Sequence, residues 1–149
     1  MIKIYLDVCC LNRPFDDQSQ DRIHLEAEAV LLILKHVESG DWEWVGSNVM
    51  AYEIAQTPDS ERRNRVNQLA AYAPETVRVG PDEVRRGQEL EKSGFQSMDA
   101  LHIACAESGN ANTFLTTDDR LLRQALRLKK QLRVRVENPL DWLKRMVNE

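Results

Sequence analysis

The chain has 149 residues, 42% of them hydrophobic and 30% charged, with a formal net charge of −4. That length suits one domain over 1–149 and can bury a core without disulfide or metal staples, so any metal would serve chemistry rather than folding. The negative charge argues against bulk attraction to nucleic acid, although acids gathered around metal ions would themselves make the total negative.

From the first residues, Ile2 to Leu6 alternates and is rich in β-formers, which predicts a strand ending at Asp7. The opening MIKIYLDV lacks the long apolar stretch of a signal peptide. The following CCLNRPFDDQSQ carries Asn, Pro, Asp and Ser and reads as a loop. Apolar residues then recur at helical spacing from Ile23 to Val37, and Gly40 supplies the stop. The longest unbroken apolar run, Ala29 to Leu34, has six residues and is far short of a membrane span. A short strand is expected at Glu43 to Gly46, then Ser47 as the N-cap of a helix from Asn48 to Gln56. A polar helix is predicted from about Asp59 to Tyr72, a strand at Thr76 to Val79, and a helix from Pro81 to about Lys92. Ser97 is expected to cap the helix MDALHIACAES, which ends before Gly109. A strand at Thr113 to Thr116, a helix at Leu121 to Leu128, a strand at Arg133 to Val136 and a helix from Pro139 to Val147 complete the chain. This alternation predicts an α/β three-layer sandwich, a mainly parallel central sheet flanked by helices.

In an open parallel sheet, ligands bind beyond the carboxyl ends of the strands. Asp7 and Asp118 each follow a predicted strand, Asp99 opens a helix, and Glu53 lies in the helix after the second strand. Each acid alone has an ordinary explanation: Asp in a first helical turn favours the macrodipole, and a helical Glu is usually solvated. Together at one sheet edge they would repel each other unless a cation intervened. Mg2+ or Mn2+ takes such oxygen ligands and could activate a water and stabilise the leaving oxygen of a phosphodiester.

The strand ending in Asp7, the S-x5-E from Ser47 to Glu53, the MDALHIA around Asp99 and the LTTD ending at Asp118 together resemble a PIN domain, most closely the VapC-type toxins. The resemblance spans essentially the whole chain. It implies a parallel sheet with helices on both sides and Mg2+- or Mn2+-dependent cleavage of RNA. It also implies a homodimer and a cognate antitoxin that blocks the cleft. By position, Asp7, Glu53, Asp99 and Asp118 would be the catalytic and metal-binding quartet. Thr116 would support Asp118 and the attacking water, and Ser47 would be a structural helix-start serine. The T-x-D spacing selects Asp118 over Asp119. Cys9 stands where the family often has a small polar residue.

From Arg120 to Arg135 there are seven basic residues and no acidic one, either a solvated face or a grip on RNA phosphates. Arg120, Arg123 and Arg127 are its candidates for RNA contact, with Arg13 in the loop after Asp7. His102, one turn after Asp99, reads as a packed structural histidine rather than a general base. Three cysteines, an odd number with no zinc-like spacing, predict a reducing, cytoplasmic setting. Trp42, Trp44 and Trp142 read as core or interface residues rather than as base-stacking platforms. A non-catalytic PIN-like module binding RNA or protein is the competing function, and it would be expected to have lost one or more acids. A haloacid-dehalogenase-like phosphatase is disfavoured because Asp7 is followed by Val-Cys rather than by the needed D-x-D.

Overall fold

Lys3–Leu6 forms β1, the middle strand of an all-parallel sheet in a computed structural model that describes residues 1–148, the side chain of Glu75 excepted. The other strands are β2 (Glu43–Ser47), β3 (Glu75–Val77), β4 (Thr113–Leu115) and β5 (Arg135–Glu137), in the order β3-β2-β1-β4-β5. Among the described residues eight α-helices connect or follow them. They are α1 (Val8–Asn12), α2 (Asp21–Glu38), α3 (Asn48–Ala55), α4 (Ser60–Ala70), α5 (Pro81–Ser93), α6 (Ser97–Ser108), α7 (Asp119–Arg127) and α8 (Pro139–Val147).

The chain winds outward from β1 through β2 to β3, then crosses back to β4 and β5 on the other side of β1. Right-handed crossovers place the helices of the first excursion on one face and those of the second on the other. Accordingly α5 packs against α6, whereas α8, which follows the last strand and is no crossover, returns to pack against α2. Covered on both faces, β1 buries Ile4, Tyr5 and Leu6 completely, and its neighbour β4 buries Phe114 and Leu115. Each such large side chain removed from water stabilises the fold by roughly 1.5–3 kcal/mol. Trp44 and Trp142 lie in the same core, as their sequence setting predicts.

Two local expectations are corrected. The stretch after Asp7 is not a loop: it folds as α1 and then a 3-10 turn at Arg13–Phe15. A five-residue helix has no stability of its own, and burial of Val8, Cys10 and Leu11 holds it in place. Nor does Ser97 cap α6. Gln96 occupies that position without a side-chain cap, and Ser97 lies in the first turn. Gly94, at φ +119°, closes α5 in the left-handed region open chiefly to glycine and so lets α6 start directly afterwards.

Among the described residues no helix is long and apolar enough to cross a membrane.

Candidate metal-binding active site

The reversal of winding falls between β1 and β4, and their carboxyl ends open the crevice in which an α/β sheet characteristically binds ligands. Asp7 stands at this opening. Its N–H donates to Leu115 O at 2.9 Å, which ties the end of β1 to β4. Its Oδ1 caps α1 by accepting the Val8 N–H at 2.9 Å, and its Oδ2 accepts the Thr116 hydroxyl at 2.8 Å. The carboxyl group is thus buried with a hydrogen bond to each oxygen. Burial pushes its pKa up, opposed by the neighbouring His102 and by the Thr116 hydrogen bond.

Thr116 has a second role that orders the site. While donating to Asp7, its Oγ1 accepts the Asp118 N–H at 3.1 Å, so one hydroxyl sets the separation of two acids from distant parts of the chain. Asp118 N-caps α7, with Oδ1 accepting from the N–H groups of Arg120 and Leu121 at 2.9 and 3.3 Å. Asp119 turns the other way, gripped by both terminal nitrogens of Arg22 at 2.7 Å. These contacts put Asp118 beside Asp7 and Asp99, while Asp119 belongs to the Arg22 pair.

Asp99 sits in the first turn of α6, where its Oδ2 accepts from Arg120 at 3.3 Å; the same guanidinium lies 3.6 Å from Asp118 Oδ2. Burial raises the Asp99 pKa, the charges of Asp7 and Asp118 raise it further, and Arg120 opposes them. Arg120 therefore supplies a positive charge between two acids that would otherwise repel. Its other contact, Gln96 Oε1 at 3.0 Å, anchors it to the start of α6.

Glu53 projects from α3, and its Oε1 lies 2.8 Å from His102 Nε2. Potential ligand atoms of Asp7, Glu53 and His102 all fall within 4.8 Å of one another. His102 is buried, as its sequence setting predicts, yet it joins the acids rather than packing passively. Its Nδ1 lies 2.6 Å from Tyr5 Oη, which lies 2.7 Å from Ser47 Oγ. Ser47 is the expected N-cap of α3, accepting the Met50 N–H at 3.1 Å.

The four predicted acids are therefore linked in two pairs. Asp7 and Glu53 meet beside His102, and Asp99 and Asp118 meet across Arg120, with Thr116 coupling Asp7 to Asp118. Asp7 and Asp99, buried and half-buried with their pKa values raised, leave the cluster short of positive charge. A hard divalent cation would fit such oxygen donors.

The basic residues divide differently. Arg13 is mostly covered, and its guanidinium is committed to the buried Glu26 at 2.7 Å and to Asp16 at 3.3 Å, which leaves it no free fork for a phosphate. Glu26 also accepts from Arg22 and Asn138, so these residues brace the fold just behind the Asp118 turn. Arg123 and Arg127 are exposed on α7, outside the acid cluster.

Cys9, Tyr5 and His102 are the site components that sequence reasoning undervalued. The Cys9 thiol lies 3.5 Å from Asp7 Oδ2 and 3.4 Å from Thr116 Oγ1, and it accepts the Thr117 N–H at 3.4 Å. Its spacing two residues beyond Asp7, within the first turn of α1, was the available signal.

A family model described as the PIN domain matches residues 4–126. Among curated proteins, none matches the sequence. Solved structures with similar folds include VapBC2 from Rickettsia felis bound to a promoter DNA fragment, with a TM-score of 0.60 and 14% identity over 92% of this chain and 98% of that one. FitAcB from Neisseria gonorrhoeae has a TM-score of 0.60 and 16% identity over 91% and 97% of the two chains. VapBC-1 from nontypeable Haemophilus influenzae has a TM-score of 0.57 and 12% identity over 93% and 98%. At these identities the likeness is one of fold.

Proposed function

We propose, since this chain belongs to the PIN domain family, that it is a Mg2+- or Mn2+-dependent endoribonuclease of the VapC toxin type, acting as one domain in a reducing cytoplasm. The observation that carries the reading is the convergence of Asp7, Glu53, Asp99 and Asp118 at the opening between β1 and β4.

Asp7, Glu53, Asp99 and Asp118 would hold the ion, which supplies Lewis acidity for attack of water on a phosphodiester and for departure of the leaving oxygen. The protein's own residues do the rest. Thr116 holds the Asp7 carboxylate with its hydrogen and Asp118 with its lone pair, so the acids keep their spacing when they ionise. Arg120, already at the mouth, exchanges a carboxylate for the phosphate of an entering RNA strand. Arg123 and Arg127, exposed on α7, grip phosphates flanking the scissile bond.

Partners follow by analogy with proteins of the same fold. VapBC2 and VapBC-1 support a cognate antitoxin that covers the cleft of this chain, and the toxin type further implies a homodimer.

The competing reading is a PIN-like module that binds RNA or protein without cutting. One observation favours it: Arg120 already neutralises the Asp99–Asp118 pair. The test is incubation of mixed single-stranded RNAs with protein refolded from denaturant, which removes any co-purified antitoxin. Cleavage is expected with millimolar Mn2+, none with EDTA, and none with Asp99→Asn. No metal-dependent cleavage, with Asp99→Asn indistinguishable from wild type, would establish the binding module instead.

A further inference from the structure

We infer that Ser47, Tyr5 and His102 form a directional hydrogen-bond relay that positions Glu53; as an inference about metal binding it rests on the reading above that Glu53 faces an ion. Glu53 is the acid that most needs such help. It stands on a helix with its side chain about one-third exposed, at 34%. Among the described residues, His102 makes the one hydrogen bond that its carboxylate receives. A helical Glu without a partner samples several rotamers.

With the His102 ring in its neutral form, the direction of the relay follows from counting donors. A carboxylate only accepts, so His102 Nε2 must carry the hydrogen across the 2.8 Å contact with Glu53 Oε1. A neutral imidazole then has a lone pair at Nδ1, which takes the Tyr5 hydroxyl hydrogen across 2.6 Å. Tyr5 Oη, having given up its hydrogen, accepts the Ser47 hydroxyl across 2.7 Å. Ser47 Oγ in turn accepts the Met50 N–H at 3.1 Å. The line runs from the backbone at the start of α3, where Ser47 also meets the Cys105 thiol, back to Glu53 on the same helix.

Packing keeps the line from rearranging. Tyr5 stacks on Phe114 with centroids 5.3 Å apart and planes 12° from parallel, and it meets the His102 ring edge-on at 5.7 Å. Both rings are buried, so neither has room to turn. Tyr5 and His102 are thus positioning residues rather than catalytic ones. They hold Glu53 Oε1 and leave Oε2 for the ion, as outer partners of metal-binding side chains generally do.

Tyr5→Phe tests this by removing one oxygen while keeping the ring on Phe114. Mn2+ affinity is measured by calorimetry for wild type, Tyr5→Phe, Glu53→Gln and the double variant. Tyr5→Phe is expected to weaken binding about 10-fold, in the range for loss of an outer partner. In the Glu53→Gln background the same change should have less than about a twofold effect, because its target is gone. Wild-type binding that Tyr5→Phe leaves within about twofold, or an equal loss in both backgrounds, would overturn the inference while the nuclease reading stands.

A second measurement works without metal. Long-range 1H–15N spectra should show His102 with its hydrogen on Nε2 and a bare, hydrogen-bonded Nδ1, and Tyr5→Phe should shift the Nδ1 resonance. A hydrogen on Nδ1 would overturn the relay even if Mn2+ binds. If wild type shows no Mn2+ binding, the nuclease reading falls, and these spectra alone uphold or refute the relay.

Discussion

Asp7 sits where chemistry and stability pull against each other. Burial raises its pKa in the fold, so in the unfolded chain it loses its proton first as pH rises. Through that window the native state holds the extra proton. Stability therefore falls with rising pH, and above the folded pKa the whole penalty applies. Asp7→Asn, in EDTA at pH 7, is expected to raise Tm by about 3 °C, the response of a domain this size to ~1 kcal/mol. The gap should close as pH falls to about 4 and below, where the unfolded chain also takes up the proton and the two states no longer differ. Millimolar Mn2+ should raise the Tm of wild type, and of the variant by less. Thermal melts from pH 4 to 8 with and without the ion check all three. The acids themselves were legible in the sequence, because strand ends and a helix start already select Asp7, Asp99 and Asp118. Tyr5 and His102 were not. A tyrosine alternating within a buried strand and a histidine on an apolar helix look like core residues, and only a three-dimensional contact between them reveals a line of hydrogen bonds.

At the scale of elements, the site depends on how short helices begin. Asp118 caps α7 with the same carboxylate that faces Asp99 across Arg120. Its two duties separate by substitution. Asp118→Asn keeps an oxygen for the Arg120 and Leu121 N–H groups, so Tm should stay close to wild type while Mn2+-dependent cleavage is lost. Asp118→Ala loses the cap as well, at a cost of about 1 kcal/mol. Melting curves beside an RNA cleavage assay distinguish the two. Most elements were predicted from periodicity and turn residues with ends displaced by a residue or two. The exception, α1, was hidden because Pro14, Asn12 and the paired aspartates after it carry strong loop signals, while its cause is burial of Val8, Cys10 and Leu11 by distant parts of the chain. The start of α6 shows the complementary failure: Ser97 is a good capping residue, but the sharp turn at Gly94 sets the helix to begin one residue earlier than a Ser97 cap would allow.

For the whole molecule, alternation of strands and helices was sufficient to predict the layered α/β architecture, whereas the strand order depends on pairings between residues far apart in sequence. Charge is distributed over the same frame. The net charge is −4, yet α7 presents Arg123 and Arg127 to solvent next to the acid crevice. Replacing both with Gln in an Asp99→Asn background should weaken RNA binding without affecting Mn2+ affinity. The slope of log affinity against log salt should flatten by about 1.4, as two lost contacts to a single strand would require. Filter binding across a salt series checks this, and an unchanged slope would return α7 to the status of a solvated face.

The pairing of β1 with β4 joins Leu6 to Leu115, and Thr116 then reaches Asp7 across 109 positions of sequence. During synthesis, a chain that has grown only through α6 already holds Asp7, Glu53, His102 and Asp99, but it has neither Thr116 nor Asp118. The crevice has no second wall until β4 emerges and inserts beside β1. Assembly of the site therefore waits for β4 to insert beside β1, and the last strand, β5, joins the sheet only afterwards in chain order.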